Sequence, residues 1–401
     1  MKYLLLRLKR FCGFSAGIVF FIAGIFKLLD PVGSGLVMKE YMDFLHISFM
    51  SGIAKPLAVA LALLETVVGT ALVTGIWRRL TAIIALGFQT FFTFLTLFLL
   101  IFNPEMDCGC FGEVVHLTHL ETFLKNVILL LMLVAFAFPF RHIGGPKKHK
   151  YVSFGIVMAS VIVFSVYTWL YNPLVDYTAF KPAAALQAGS AFGSAQEDIY
   201  EAVFIYEKDD VVQEFTIDNL PDSTWTFIDT KTVEKQELNT VSLSFYDSEG
   251  FYHDTLAVKG KVMVMSIYDV KSKQSVWRNA AQVVQRASDA GFQPLVLVSS
   301  YPEQMDSIYA GVPEYADILK DVLYYSDYKT LITMNRSNGG VTYFCDGYLV
   351  KKWSVRTYPD DEEMLEIFVG DETETIIGSS TAGSLAFQGF LLYVFAVMLL
   401  L

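Results

Sequence analysis

Six stretches of this chain are each apolar for close to the twenty residues that a helix needs to cross a hydrocarbon core, and they restrict what it can fold into. They fall at residues 12–29, 56–76, 80–102, 123–140, 152–171 and 383–401. Inside a bilayer every backbone N–H and C=O must find a partner within the segment, so each stretch is expected to be a helix. The fourth is near the lower length limit. The sixth ends Leu-Leu-Tyr-Val-Phe-Ala-Val-Met-Leu-Leu-Leu without a charge, yet stands close enough to the chain end to be a buried helix instead.

Charge between the stretches orients them. Lys2, Arg7, Lys9 and Arg10 precede the first, Arg78 and Arg79 separate the second from the third, and Arg141, Lys147, Lys148 and Lys150 separate the fourth from the fifth. The positive-inside rule places these three sites and both termini in the cytoplasm. Residues 30–55, 103–122 and 172–382 then face outward. The charged-then-apolar N-terminus has the layout of a signal peptide, but Lys27-Leu-Leu-Asp-Pro follows where a small-residue cleavage site would stand, so a retained span is expected. Residues 1–171 carry 14 Lys/Arg against 8 Asp/Glu, and residues 172–401 carry 16 against 33. So acidic an outer half excludes a nucleic-acid partner. The partners expected are the lipid bilayer and an extracytoplasmic protein or client.

The outer half reads as strands and helices. Residues 173–200, rich in Ala, Gly, Ser and Pro, read as a linker, and 201–250 as a β-rich segment with strands at 203–205, 211–217, 225–228 and 241–245. Whether these strands extend the following sheet or form a separate unit is open. From 251 to 375 the pattern is α/β. Buried strands are expected at 261–267 and 293–298, helices at 275–290, 304–309, 314–319 and 361–369, and a hairpin of 331–335 with 341–344 across Arg336-Ser-Asn-Gly-Gly. A fifth membrane helix occupies 146–172 and a last one 376–401.

Four cysteines are too few for a disulfide scaffold. Cys12 begins the first span on the inner side, ~30 Å of hydrocarbon from the outer thiols, and reads as a packing residue. Cys345 reads as a core residue of a strand beside Asp346-Gly347. Cys108 and Cys110, one glycine apart just beyond the third span, are the chemical candidates. In an extended chain their side chains point to opposite faces, and a turn at Gly109 with φ > 0 brings them together. A bridge so small is strained and easily exchanged. The pair either cycles between dithiol and disulfide or plugs a loop against the bundle. Asp107 and Glu113 beside it do not favour the thiolate. With His116 and His119 the pair also has the atoms of a metal site, although a one-residue gap suits zinc poorly.

Glu65 stands mid-way along the second span, where a carboxylate needs a partner or a task, and Lys27 near the outer end of the first is the candidate partner. The two form either a proton- or quinone-facing site or a structural ion pair. Gln89, Thr90, Thr93 and Thr96 in the third span are expected to bond across helices or to the preceding turn.

Ala23-Gly-Ile-Phe-Lys-Leu-Leu-Asp-Pro, Glu65 with Gly69 and Gly75, and Cys108-Gly-Cys-Phe-Gly resemble the DoxX-like/MauE group of four-helix membrane proteins, over residues 14–140, within a four-helix membrane domain expected at 1–145. That resemblance implies a bacterial cytoplasmic (inner) membrane and disulfide formation or redox maturation outside the cytoplasm, with a quinone as the candidate acceptor. Residues 259–368 resemble a thioredoxin-like domain, in Gly-Lys-Val-Met-Val-Met-Ser-Ile and in the hairpin Gly-Gly-Val-Thr-Tyr-Phe-Cys-Asp-Gly-Tyr-Leu-Val-Lys-Lys-Trp. The family's reactive pair belongs near residues 268–275, where no cysteine stands. The fold class expected is therefore a membrane α-helical bundle, a four-helix DoxX-like core plus two further helices, with a soluble thioredoxin-like α/β domain. The expected function is thiol–disulfide electron transfer at the outer face through Cys108 and Cys110, by a thiol–disulfide oxidoreductase or an accessory to one. The alternative is a non-enzymatic scaffold whose thioredoxin-like domain only binds.

Overall fold

The computed structural model describes residues 2–104, 106–138, 148–188, 200–208, 211–215, 225–234, 240–271 and 274–400. The chain divides into two compact units. The first comprises residues 1–178, 353–358 and 377–401; the second comprises 179–352 and 359–376.

Among the described residues six helices are long and apolar enough to cross a membrane, so the chain is a multi-pass membrane protein. In the first unit, α1 (Lys2–Leu29), α3 (Ala54–Thr74), α4 (Arg78–Phe102), α5 (His119–Ala137) and α6 (Lys148–Leu170) are joined by the C-terminal helix Glu372–Leu400. Each apolar stretch is helical over most of its described residues. The first begins ten residues, and the last eleven, before the apolar run, because polar first turns continue the helix. Arg141 and Lys147, used above to orient the chain, lie outside the described residues.

α1 and α3 pack closely because small residues line their contact. A Cβ at Gly24 would collide with Thr66, and one at Gly69 with the backbone of Phe21, the close approach that small residues permit between membrane helices. One core then forms from Ala16, Phe20, Val68, Leu72, Ala85, Leu129 and Leu133, joining α1, α3, α4 and α5. α6 and the C-terminal helix cover α1 through Phe21, Ile25, Leu28, Phe164 and Phe387. Phe164 stacks on Phe390 at 4.5 Å, and Thr168 donates to the Leu28 carbonyl at 2.6 Å.

Residues 30–55, which connect the first two apolar stretches, are mostly helical. Asp30 ends α1 and caps α2 (Pro31–Phe44), its carboxylate accepting from the backbone N–H of Val32 at 3.1 Å and Gly33 at 2.9 Å. Pro31 occupies the first turn, where its missing N–H costs nothing. α2 packs on α3 and on the short strand β1 (Cys110–Glu113).

The second unit holds two sheets. β2 (Ala185–Ala188) lies within the stretch read as linker. It pairs parallel with β6 (Thr240–Leu243) and buries Ala184 and Leu186. Between them in sequence, β3 (Tyr200–Lys208), β4 (Val211–Phe215) and β5 (Thr226–Glu234) form a separate antiparallel sheet in the order β4-β3-β5. The open question about these strands is thereby answered: three stand apart and the fourth, β6, joins the larger sheet. Ile217, included in the second of them, lies outside the described residues.

The larger sheet continues with β7 (Lys261–Ile267), α7 (Ser275–Ala290), β8 (Gln293–Val298), α8 (Pro302–Gly311), α9 (Pro313–Lys320), β9 (Leu323–Tyr325), α10 (Tyr328–Met334), β10 (Gly340–Cys345), β11 (Tyr348–Trp353) and α11 (Asp361–Val369). Its order is β6-β2-β11-β10-β7-β8-β9, with β7, β8 and β9 parallel and β10 antiparallel to β7. The expected hairpin of 331–335 with 341–344 is corrected. Asp327 caps α10 by accepting from Thr330 N–H, so 331–334 is helical. The hairpin is β10–β11, the one quoted above across Cys345-Asp-Gly-Tyr, turned by Asp346 (φ 45°) and Gly347 (φ 80°), the paired positive φ of a tight two-residue turn.

Candidate functional site

Lys27, Glu65, Cys108 and Cys110 line one cavity of about 250 Å³ in the first unit. Its wall is mostly apolar, built from side chains such as Phe20, Val37, Met38, Leu61, Phe92 and Leu95. Its polar members are few: Lys27, Glu65, Gln89 and Asn126, with Ser34, Tyr41, Thr96, Lys125, Cys108 and Cys110 also facing it. The four residues singled out from the sequence, Cys108, Cys110, Glu65 and Lys27, are thus brought to a common space.

Lys27, in the last turn of α1, donates to both carboxylate oxygens of Glu65, at 2.8 and 2.7 Å. Glu65 is 7% exposed, so the pair has been taken out of solvent and each charge depends on the other. The ammonium also lies 5.7 Å from the centre of the Phe92 ring. Gln89 donates to the Asn126 carbonyl at 3.0 Å, and Asn126 to Thr96 at 3.2 Å, the cross-helix bonding expected of polar groups in the third span.

The connection between α4 and α5 carries the thiols. Asn103 ends α4 in the left-handed region, and Thr118 with Glu121 forms a capping box that starts α5 at His119. Between them Gly109 has φ +58°, and a Cβ there would collide with Val37 of α2. The turn is the one expected from the sequence. Gly109→Ala combines left-handed backbone with overpacking, and is expected to lower stability by ~1–3 kcal/mol. Thermal unfolding of the detergent-purified protein measures this, and Val37→Ala in the same chain is expected to recover the collision but not the backbone cost.

Cys108 is buried and Cys110 half-buried, both as free thiols. The Cys108 Sγ lies 2.9 Å from His119 Nδ1, while His119 Nε2 lies 3.0 Å from the Pro104 carbonyl. A carbonyl only accepts, so Nε2 carries the proton and Nδ1 of the neutral ring presents its lone pair to the thiol. Burial pushes the Cys108 thiol above its ordinary range, the Thr122 hydroxyl and Lys125 oppose this, and Cys110 and Asp107 add to it. Tyr41 on α2 donates to the Cys108 carbonyl at 2.9 Å, and burial, with the nearby thiols, pushes its phenol well up.

His116 stands apart, exposed, 3.5 Å from Asp107. Among the described residues no group of three or more His, Cys, Asp and Glu side chains is placed to hold a metal ion. The donor set of Cys108, Cys110, His116 and His119 therefore does not assemble. Cys12 is buried in α1. Cys345 belongs to the second unit, where burial raises its thiol.

Sequence reasoning missed His119 as a partner of one thiol, and missed Lys125 and Tyr41. A signal was present: Thr122, Asn126, Leu129 and Leu133 follow His119 at helical spacing as the buried stripe of α5. The polar head of that stripe marks the side of α5 that faces the thiols.

No curated protein and no solved structure matches the chain significantly. Residues 200–237, which include the three-stranded sheet, match a family described as a domain of unknown function. Residues 2–139, which carry α1 to α5, the thiols and the cavity, match the family described as Methylamine utilisation protein MauE, so this membrane domain is similar to that family.

Proposed function

We propose that the membrane domain transfers electrons from protein thiols to a quinone-class acceptor, through the dithiol of Cys108 and Cys110 at the outer end of the bundle. The observation that carries this reading is the shared cavity: two thiols and a compensated ion pair face one apolar space. An apolar chamber with a few convergent polar groups suits a planar, largely apolar ligand. Lys27 and Glu65 would hold its polar end, Gln89 and Asn126 would border it, and Phe20, Phe92 and Leu95 would contact its ring. A quinone supplies a two-electron, two-proton sink, matching what one dithiol releases when it becomes a disulfide. On the protein side, His119 Nδ1 accepts the Cys108 proton and the Pro104 carbonyl keeps the imidazole in the tautomer that can do so.

The outward placement rests on the basic residues at the opposite helix ends, Lys9, Arg10, Arg78, Arg79, Lys148 and Lys150. An oxidising space on that side lets a disulfide persist. The likeness to a methylamine utilisation protein names no chemistry for this cavity, and the maturation role proposed for the cell envelope rests on the two thiols that line it. For the α/β domain we propose a thioredoxin-like binding module that recruits the client. Supporting this are the order β8-β7-β10-β11, the helix α7 between parallel β7 and β8, and α11 after the hairpin. The domain supplies no dithiol near 268–275, so the chemistry is left to the bundle. Residues 272 and 273 lie outside the described residues.

Acid quenching of intact cells followed by a mass-tagged maleimide tests the function. Cys108 and Cys110 are expected to shift from oxidised to reduced when the respiratory acceptor is withdrawn, and back when it is restored. A redox state indifferent to acceptor supply contradicts the reading.

A further inference from the structure

Resting on the dithiol reading, we infer that the two sulfurs have separate tasks. Cys110 exchanges with the thiols of an incoming reduced protein, and Cys108, paired with His119, is the sulfur that departs and is re-oxidised from the cavity side. Disulfide exchange needs in-line access to the attacked sulfur. Cys108 is 5% exposed while Cys110 is half-buried, so a polypeptide thiolate reaches Cys110 first.

The groups that face Cys108 assign its task. From α5 come His119, Thr122 and Lys125; from the connection, Asp107 and Cys110; from α2, Tyr41. Among them His119 alone touches the sulfur through a ring nitrogen whose lone pair can accept its proton, at 2.9 Å. Burial holds the Cys108 thiol above its ordinary range and Lys125 only partly opposes this, so Cys108 departs best as the thiol, its proton supplied by the His119 ring in contact with it. Cys110 has no such imidazole contact among the described residues.

The chemistry balances. A client thiolate attacks the Cys110 Sγ of the Cys108–Cys110 disulfide. The bridge breaks, a client–Cys110 disulfide forms, and Cys108 leaves with the electron pair and takes a proton from the His119 imidazolium. The client's second thiol then attacks the client sulfur of the mixed disulfide, closing the client's own bridge and releasing Cys110 as a thiol. Re-forming the Cys108–Cys110 bridge releases two electrons and two protons, the co-reactant being an oxidant of the quinone class, and His119 Nδ1 takes the proton of Cys108.

The test uses the full-length reduced protein in lipid nanodiscs, without quinone, with glutathione disulfide as the probe. Cys108→Ser, which keeps Cys110, is expected to form the mixed disulfide at least about tenfold faster than Cys110→Ser, because access governs exchange. Equal rates, or faster capture at Cys108, overturn the division. In wild type the acid-quenched adduct is expected on Cys110 by peptide mass spectrometry, and an adduct on Cys108 overturns it without recourse to a variant. In Cys110→Ser, adding His119→Asn is expected to slow alkylation of Cys108 by iodoacetamide at neutral pH and to remove a titration step from its pH profile. An unchanged profile overturns the role of His119. Since no quinone is present, failure here with acceptor-linked turnover intact removes only the division. Intact capture without turnover removes only the acceptor reading.

Discussion

Cys108→Ser and Cys110→Ser are each expected to reduce acceptor-linked thiol oxidation to the uncatalysed rate while the bundle stays folded. Neither variant can close the bridge, so neither can store the electron pair that one turnover releases. Stability changes little by comparison. Serine at position 108 keeps a donor to His119 Nδ1, so the hydrogen bond at 2.9 Å survives in kind, and losing such a bond altogether costs only ~1 kcal/mol. Serine at 110 sits at a half-buried position. Turnover of a reduced model dithiol and thermal unfolding, measured on the same preparation, separate the two effects. A packing role for the sulfurs predicts the reverse pattern, lost stability with turnover retained in one variant.

Lys27→Met is expected to destabilise the membrane domain by ~3–5 kcal/mol, because it strands an ionised Glu65 away from water. Glu65→Leu is expected to cost less, since the Lys27 side chain is 16% exposed against 9% for Glu65 and rests beside the Phe92 ring. The double variant Lys27→Met/Glu65→Leu is expected to recover most of the loss, as apolar replacements of buried ion pairs are often neutral. Denaturation in bicelles, treated as a double-mutant cycle, measures the coupling. Turnover then decides between the structural and the ligand-holding readings of the pair. A charged hydrogen bond of ~1.5–3 kcal/mol corresponds to about ten- to a hundredfold in apparent affinity. The folded double variant is therefore expected to need that much more of a water-soluble quinone analogue. A double variant with wild-type stability and wild-type quinone dependence makes the pair purely structural.

The sequence made the membrane domain legible where one rule sufficed. Uninterrupted apolar runs marked the six long helices among the described residues, two charges inside spans pointed to each other as Lys27 and Glu65, and the glycine between the thiols foretold the positive φ at Gly109. Other features depend on tertiary placement. α2 carried its own start signal, Asp30 followed by Pro31, but its glycines at 33 and 35 lower helix propensity and mask it. Those glycines are used in packing: a Cβ at Gly35 would press on Lys55 of α3. His119 stands eleven residues beyond Cys108, and only the ends of α4 and α5 bring the two together. In the second unit, 331–334 has a β-like composition, and the Asp327 cap outweighs it.

Quinone reduction by the purified chain tests the central claim most directly. Full-length protein in nanodiscs, reduced and freed of reductant, is mixed with a soluble quinone analogue, and quinol is followed by absorbance while the Cys108–Cys110 bridge is followed by intact mass. Quinol and bridge appearing in equal amounts, with neither formed when both cysteines are serine, is the predicted result. A pair that stays reduced in the presence of excess quinone, or quinol formed equally well by the cysteine-free variant, would contradict it.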